Sequence, residues 1–93
     1  MRWHALLSLT MKTENKEKLV KILAQHLNRA PEEIVDTLSY DQESRWDSVT
    51  HLKIMADIED AFHIHFDIEE IISLETVLKI KQKVAEKIDH EPR

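Results

Sequence analysis

A chain of 93 residues with no Cys, no Gly and only two Pro has no disulfide framework, no thiolate metal site and none of the Gly-dependent loops that cradle phosphates or dinucleotides. Its net charge of −5 is unevenly laid out: residues 1–30 carry six Lys/Arg against two Glu, whereas residues 41–75 carry ten acids against Arg45 and Lys53. Such an acidic centre disfavours nucleic-acid phosphates and suits basic protein partners, unless it simply keeps one face solvated.

No run approaches the roughly 20 apolar residues of a membrane span. The opening "MRWHALLSLT" is too short for a secretory signal with its cleavage site, so the expectation is one small cytoplasmic domain. Met11 and the "KTENKEKLV" that follows make a more natural start. Residues 1–12 are therefore read as an N-terminal extension, 13–89 as the domain and 90–93 as a tail.

The first helix is expected from about Glu14 to Leu27, with Leu19, Ile22, Leu23, His26 and Leu27 at helical spacing. Thr13 is the expected N-cap, and Asn28 the left-handed stop in a chain without Gly. A long connection runs from Arg29 to Asp47. Within it, Pro31 with Glu32 and Glu33 predicts one helical turn, because Pro suits a first helical position and acids suit the positive end. Ile34, Val35 and Leu38 are expected to tack it onto the core. A connection this long in so small a domain hints at a functional surface.

The second helix is predicted from Ser48 to about Phe62, with Val49, Leu52, Met55, Ala56, Ile58 and Phe62 as its apolar side and Asp57, Glu59 and Asp60 largely opposite. Asp67 and Glu70 form the D-x-x-E of a capping box opening a short third helix through Ile72. The last helix begins near Ser73–Thr76 and runs to about Ile88, with Val77, Ile80, Val84 and Ile88 as a narrow stripe and Lys79, Lys81, Lys83 and Lys87 outside. The predicted fold is all-α, a small bundle of three longer helices plus one short one. Leu52, Met55, Ile58, Ile68 and Ile72 are assigned to its core by period.

Ser48 draws attention within "RWDSVTHL". A serine at a helix start is ordinarily a cap. Here Asp47 is the better-charged cap, which frees Ser48 for the first helical position with its hydroxyl outward. An anion on that hydroxyl would meet the free N–H groups and positive end of the helix, and a phosphodiester is such an anion. Catalysis by Ser48 has little support: His51, three residues on, could share its face, but no Gly-x-Ser-x-Gly elbow is present and nothing supplies an oxyanion hole. Ser48 reads better as a group on which another enzyme acts.

The segment "WDSVTHLKIMADIEDAFHIHFDIEEIISLETVLKIKQKVAEKI" resembles the heart of acyl carrier proteins. In that family a D-S-(L/M/V) triplet opens an acidic second helix ending in E-x-x-F, and a short helix and a terminal helix follow. The matching positions are Asp47-Ser48-Val49, Glu59 to Phe62, Ile68 to Ile72, and Thr76-Val77 onward, and the likeness extends over roughly Glu14 to Ile88.

The resemblance implies that Ser48 is the attachment point of 4′-phosphopantetheine, making the chain a phosphoprotein. The arm would come from coenzyme A, delivered by a phosphopantetheinyl transferase with magnesium. Asp47 would help the transferase recognise the site, and Val49 would be the apolar residue packing against transferase or partner. The arm's thiol would carry acyl groups as thioesters, as in fatty-acid or lipid biosynthesis, so that a monomeric, non-catalytic chain without Cys handles thiol chemistry. Val49 and His51 would lie on the partner-binding surface, and Asp57, Glu59 and Asp60, with Glu69 and Glu70 nearby, would form the acidic strip facing basic patches on acyl-loading and acyl-accepting enzymes. One departure stands out: Arg45-Trp46 precede the aspartate where fatty-acid carriers often have Gly, as in carriers of specialised pathways. An aminoacyl or peptidyl carrier, or an unmodified helical interaction module using the acidic face, are the competing readings.

His63-x-His65 has a spacing that suits zinc or copper, but no third ligand is fixed. Asp41 to Asp47 lacks the glycine and terminal glutamate of a calcium loop. No resident metal is expected. Trp46 is expected to be partly buried where the loop meets the second helix.

Overall fold

The computed structural model describes residues 12–90, with side chains through residue 88. The reading of residues 1–12 as an extension and 90–93 as a tail falls mostly outside that range. Among the described residues four α-helices follow in order: α1, Thr13–Leu27; α2, Ser48–Phe62; α3, Ile68–Ser73; and α4, Val77–His90, with one 3-10 turn at Pro31–Glu33. This is the all-α bundle of three longer helices and a short one.

Each boundary has a local cause. Asn28 stops α1 in the left-handed region at φ 55°, its N–H returning to the Ala24 carbonyl. His63 ends α2 the same way at φ 57°, with its N–H on the Glu59 carbonyl. Pro31 sits at the first position of the 3-10 turn, whose Glu33 carboxylate reaches back to the Ala30 N–H at 2.9 Å. The α3 capping box closes in both directions: Asp67 Oδ1 accepts from the Glu70 N–H at 2.9 Å, and Glu70 Oε1 accepts from the Asp67 N–H at 3.0 Å. The cap of α1 differs from expectation. Thr13 is already helical, and Lys12 precedes it with no side-chain cap.

Leu19, Leu23 and Leu27 of α1, Ile54, Met55 and Ile58 of α2, and Val77, Ile80 and Val84 of α4 are sealed in one core with Trp46 and Phe66. Burial of these stripes holds the helices together, since short helices are marginal alone. Polar ties fix the pairings. His26 Nε2 lies 2.6 Å from Asp57 Oδ2 between α1 and α2. Glu70 of α3 meets Lys87 at 3.0 Å and Lys83 at 3.8 Å on α4.

The connection from residue 29 to 47 is held down along its length. Ile34 is buried and Leu38 packs against the core, whereas Val35 points outward at 50% exposure, contrary to its expected role. Backbone bonds tie it to the start of α4: Tyr40 N–H to Glu75 O at 2.8 Å, Val77 N–H to Leu38 O at 3.0 Å and Leu78 N–H to Asp36 O at 3.1 Å. At its far end, the Arg29 guanidinium bonds the buried Glu43 carboxylate, which also accepts the Arg45 N–H at 3.2 Å. These donors hold Glu43 below its ordinary range, the Arg29 bond contributing most.

Candidate functional site: the first turn of the second helix

Asp47 is the N-cap of α2. Its backbone is extended, and its Oδ1 accepts the Thr50 N–H at 2.8 Å. That bond, first among its causes, lowers the Asp47 pKa from its ordinary value and keeps it ionised. Ser48 consequently occupies the first helical position, exposed to solvent. The first regular bond of the helix runs from the His51 N–H to the Asp47 carbonyl at 2.8 Å, and Asp47 Oδ1 serves Thr50. The amides of Ser48 and Val49 therefore lie at the open positive end, beside the hydroxyl.

Ser48, Val49, Leu52 and Ala56 share the outward side of α2, and Leu52 and Val49 are 53% and 62% exposed. Across from them, α3 presents Ile68 and Ile72, at 64% and 67% exposure. Leu52, Ile68 and Ile72 thus leave the core assigned to them, while Met55 and Ile58 are buried as expected. The reason is geometric. The apolar arc of α2 is wider than one helix can bury, and the six residues of α3 seat only Ile71 against the core. Between the two helices runs a groove of about 240 Å³ lined by Tyr40, Ser48, His51, Leu52, Ile68, Ile71, Ile72 and Glu75. An apolar channel therefore begins at the serine. Sequence reasoning missed it, and the surplus of apolar positions in α2 and α3 was the available signal.

His51 is a correction. Expected to face partners, it is 9% exposed, and both ring nitrogens are occupied within the fold. Trp46 Nε1–H donates to Nδ1 at 2.9 Å, and Nε2 lies 2.7 Å from the Ile71 carbonyl. An indole N–H can only donate, so Nδ1 accepts and Nε2 carries the hydrogen given to Ile71. Trp46 is 1% exposed, more deeply set than expected, and Tyr40 packs edge-on against both rings. Bulk ahead of the aspartate therefore builds the wall under the site.

The acids divide into two kinds. Asp60 and Glu69 are exposed, and so is Asp57, although it pairs with His26. Glu59 and Glu70 are engaged: Glu59 Oε2 accepts the Phe66 N–H at 2.9 Å and approaches His65 Nδ1 at 3.5 Å. Glu70 is lowered chiefly by its bond from the Asp67 N–H and next by Lys87. Only three members of the expected strip stand clear of structural duty toward backbone amides. Among the described residues no group of three or more His, Cys, Asp or Glu is arranged to hold a metal ion, and His63 and His65 are exposed around the α2 stop. No helix of the described residues is long and apolar enough to cross a membrane.

The requirements of a phosphopantetheine arm fit this arrangement: an exposed hydroxyl at a positive helix end, a neighbouring aspartate engaged in capping, and an apolar groove leading away. No curated protein sequence matches the chain. A family model described as the phosphopantetheine attachment site matches residues 17–84, a span that takes in α2, α3 and most of α1 and α4. The chain therefore belongs to the family of carrier domains to which 4′-phosphopantetheine is covalently attached.

Proposed function

We propose that the chain is an acyl carrier protein and that Ser48 is the residue pantetheinylated. The observation carrying this reading is the division of labour at the α2 start. Asp47 supplies the cap, and Ser48, at the first helical position, keeps its hydroxyl in solvent. A phosphopantetheinyl transferase and the enzymes that load and unload the thiol are the partners a carrier domain requires. When bound, the arm supplies a thiol that holds cargo as a thioester.

The chain's own residues do the rest. Ser48 Oγ bonds to the phosphorus that coenzyme A gives up; the bond to the adenosine 3′,5′-bisphosphate leaving group breaks, and the hydroxyl proton goes to a base of the transferase. Open amides at the helix end favour the resulting anion. Asp47 marks the site for the transferase, and Val49, Leu52, Ile68 and Ile72 form the apolar surface on which partners seat. Asp57, Asp60 and Glu69 steer basic partners, an effect expressed mostly in encounter rate and weakened by salt. The carrier does no catalysis itself and works in the cytoplasm as a monomer, within a specialised acyl pathway.

Incubating the purified chain with coenzyme A, magnesium and a broad-specificity transferase tests this. Intact mass should rise by one phosphopantetheine in the parent chain and stay unchanged in Ser48→Ala. A folded parent chain that gains no mass would overturn the assignment.

A further inference from the structure

His51 lines the groove that begins at Ser48, and on its other side its ring meets Trp46, which is 1% exposed in the core. An apolar tail tethered near Ser48 has two refuges: the groove itself, or the interior behind it. Reaching the interior beside Trp46 requires the imidazole to swing aside. That movement would leave the buried Trp46 indole N–H without its acceptor at 2.9 Å and take from the Ile71 carbonyl its bond of 2.7 Å, leaving it only the Leu74 N–H at 3.4 Å. The ring is also braced by Tyr40, whose centroid lies 5.8 Å away, and Trp46, at 6.0 Å. One imidazole thus joins the 29–47 connection, α2 and α3, and every buried side-chain polar atom among the described residues has a partner. The arrangement resists opening.

We propose that His51 is a specificity-determining plug: held by Trp46 and the Ile71 carbonyl, it keeps a thioester-linked chain out of the core and confines it to the surface groove. The cargo class this suits is short acyl chains, displayed where partner enzymes reach them without extraction. The proposal rests on the carrier reading and adds to it a residue and a place for the cargo.

Isoleucine methyl labels divide the two refuges. Ile68, Ile71 and Ile72 line the groove, whereas Ile54, Ile58 and Ile80 are fully buried. The parent chain is loaded by transferase from octanoyl-coenzyme A or from coenzyme A, loading is verified by mass, and the methyl spectra of the two products are compared. The plug predicts shifts confined to Ile68, Ile71 and Ile72. In His51→Ala, the octanoyl chain should additionally move Ile54 and Ile58. Should that variant fail to fold, His51→Val, which deletes both hydrogen bonds and is smaller than the imidazole, takes its place. Core shifts in the loaded parent chain would overturn the plug while leaving the carrier intact, as would a core equally silent in the folded variant. A parent chain that takes up no arm would overturn the carrier reading itself.

Discussion

Replacing Trp46 with Phe keeps most of the ring that fills the junction of connection and helix, but removes the N–H that His51 Nδ1 accepts. A buried acceptor left unpaired costs about 1–3 kcal/mol, so the urea midpoint of W46F should fall by that equivalent with an unchanged slope. A midpoint within error of the parent would show that the hydrogen bond to His51 adds nothing to stability. The mutation that tests capping is subtler. Asn caps helices as well as Asp, so Asp47→Asn should leave the thermal midpoint nearly unmoved while slowing phosphopantetheine transfer. Asp47→Ala should lower both. Equal transfer rates for parent and D47N would remove the carboxylate charge from transferase recognition.

At the scale of elements, α3 is the one that cannot stand alone. Six residues fall well short of a self-sustaining helix, and its anchors are side-chain contacts: the capping box, Lys83 and Lys87 on Glu70, and His51 on the Ile71 carbonyl. Amide exchange should therefore be faster in α3 than in α1, α2 or α4, and faster still in Glu70→Ala. Protection in α3 matching that of α2 would contradict this ranking. The same scale shows what could be read from sequence. Helix order, the Asn28 stop, the Asp67–Glu70 box and the Pro31 turn were legible because each rests on interactions a few residues apart. The start of α2 at Ser48 was legible for the same reason. The burial of His51, the exposure of Leu52, Ile68 and Ile72, and the seating of Trp46 were not, because each is decided by which helix lies opposite. Periodicity gives the width of an apolar face but not the width of the partner that covers it.

For the molecule as a whole, charge sets two dependences. Glu43, Asp47 and Glu70 all hold their protons more weakly folded than unfolded, their pKa values lying below the ordinary 4.5, 3.8 and 4.5. Unfolding in acid therefore takes up protons. Stability from these groups is fully present above the ordinary carboxylate range and is lost as pH falls through the depressed values. The urea midpoint should drop steeply below about pH 4.5, and the gap between the parent and Glu43→Gln should close there. A gap constant from pH 7 to 3 would show that Glu43 contributes no linkage. Steering by the acidic face is best probed at Asp60, because Glu59→Lys would also forfeit the Phe66 amide and unsettle the turn after α2. Asp60→Lys should slow loading by a basic partner several-fold at low salt, with the difference shrinking as salt rises.

The two helix stops at Asn28 and His63 are left-handed without a glycine between them in the entire chain. Asparagine tolerates that conformation readily; histidine carries more of its steric penalty. His63→Gly would relieve it at some expense in unfolded-state freedom, for a net gain of about 0.5–1 kcal/mol. In a domain of this size that corresponds to several degrees of heat tolerance, held in reserve at a position remote from the serine.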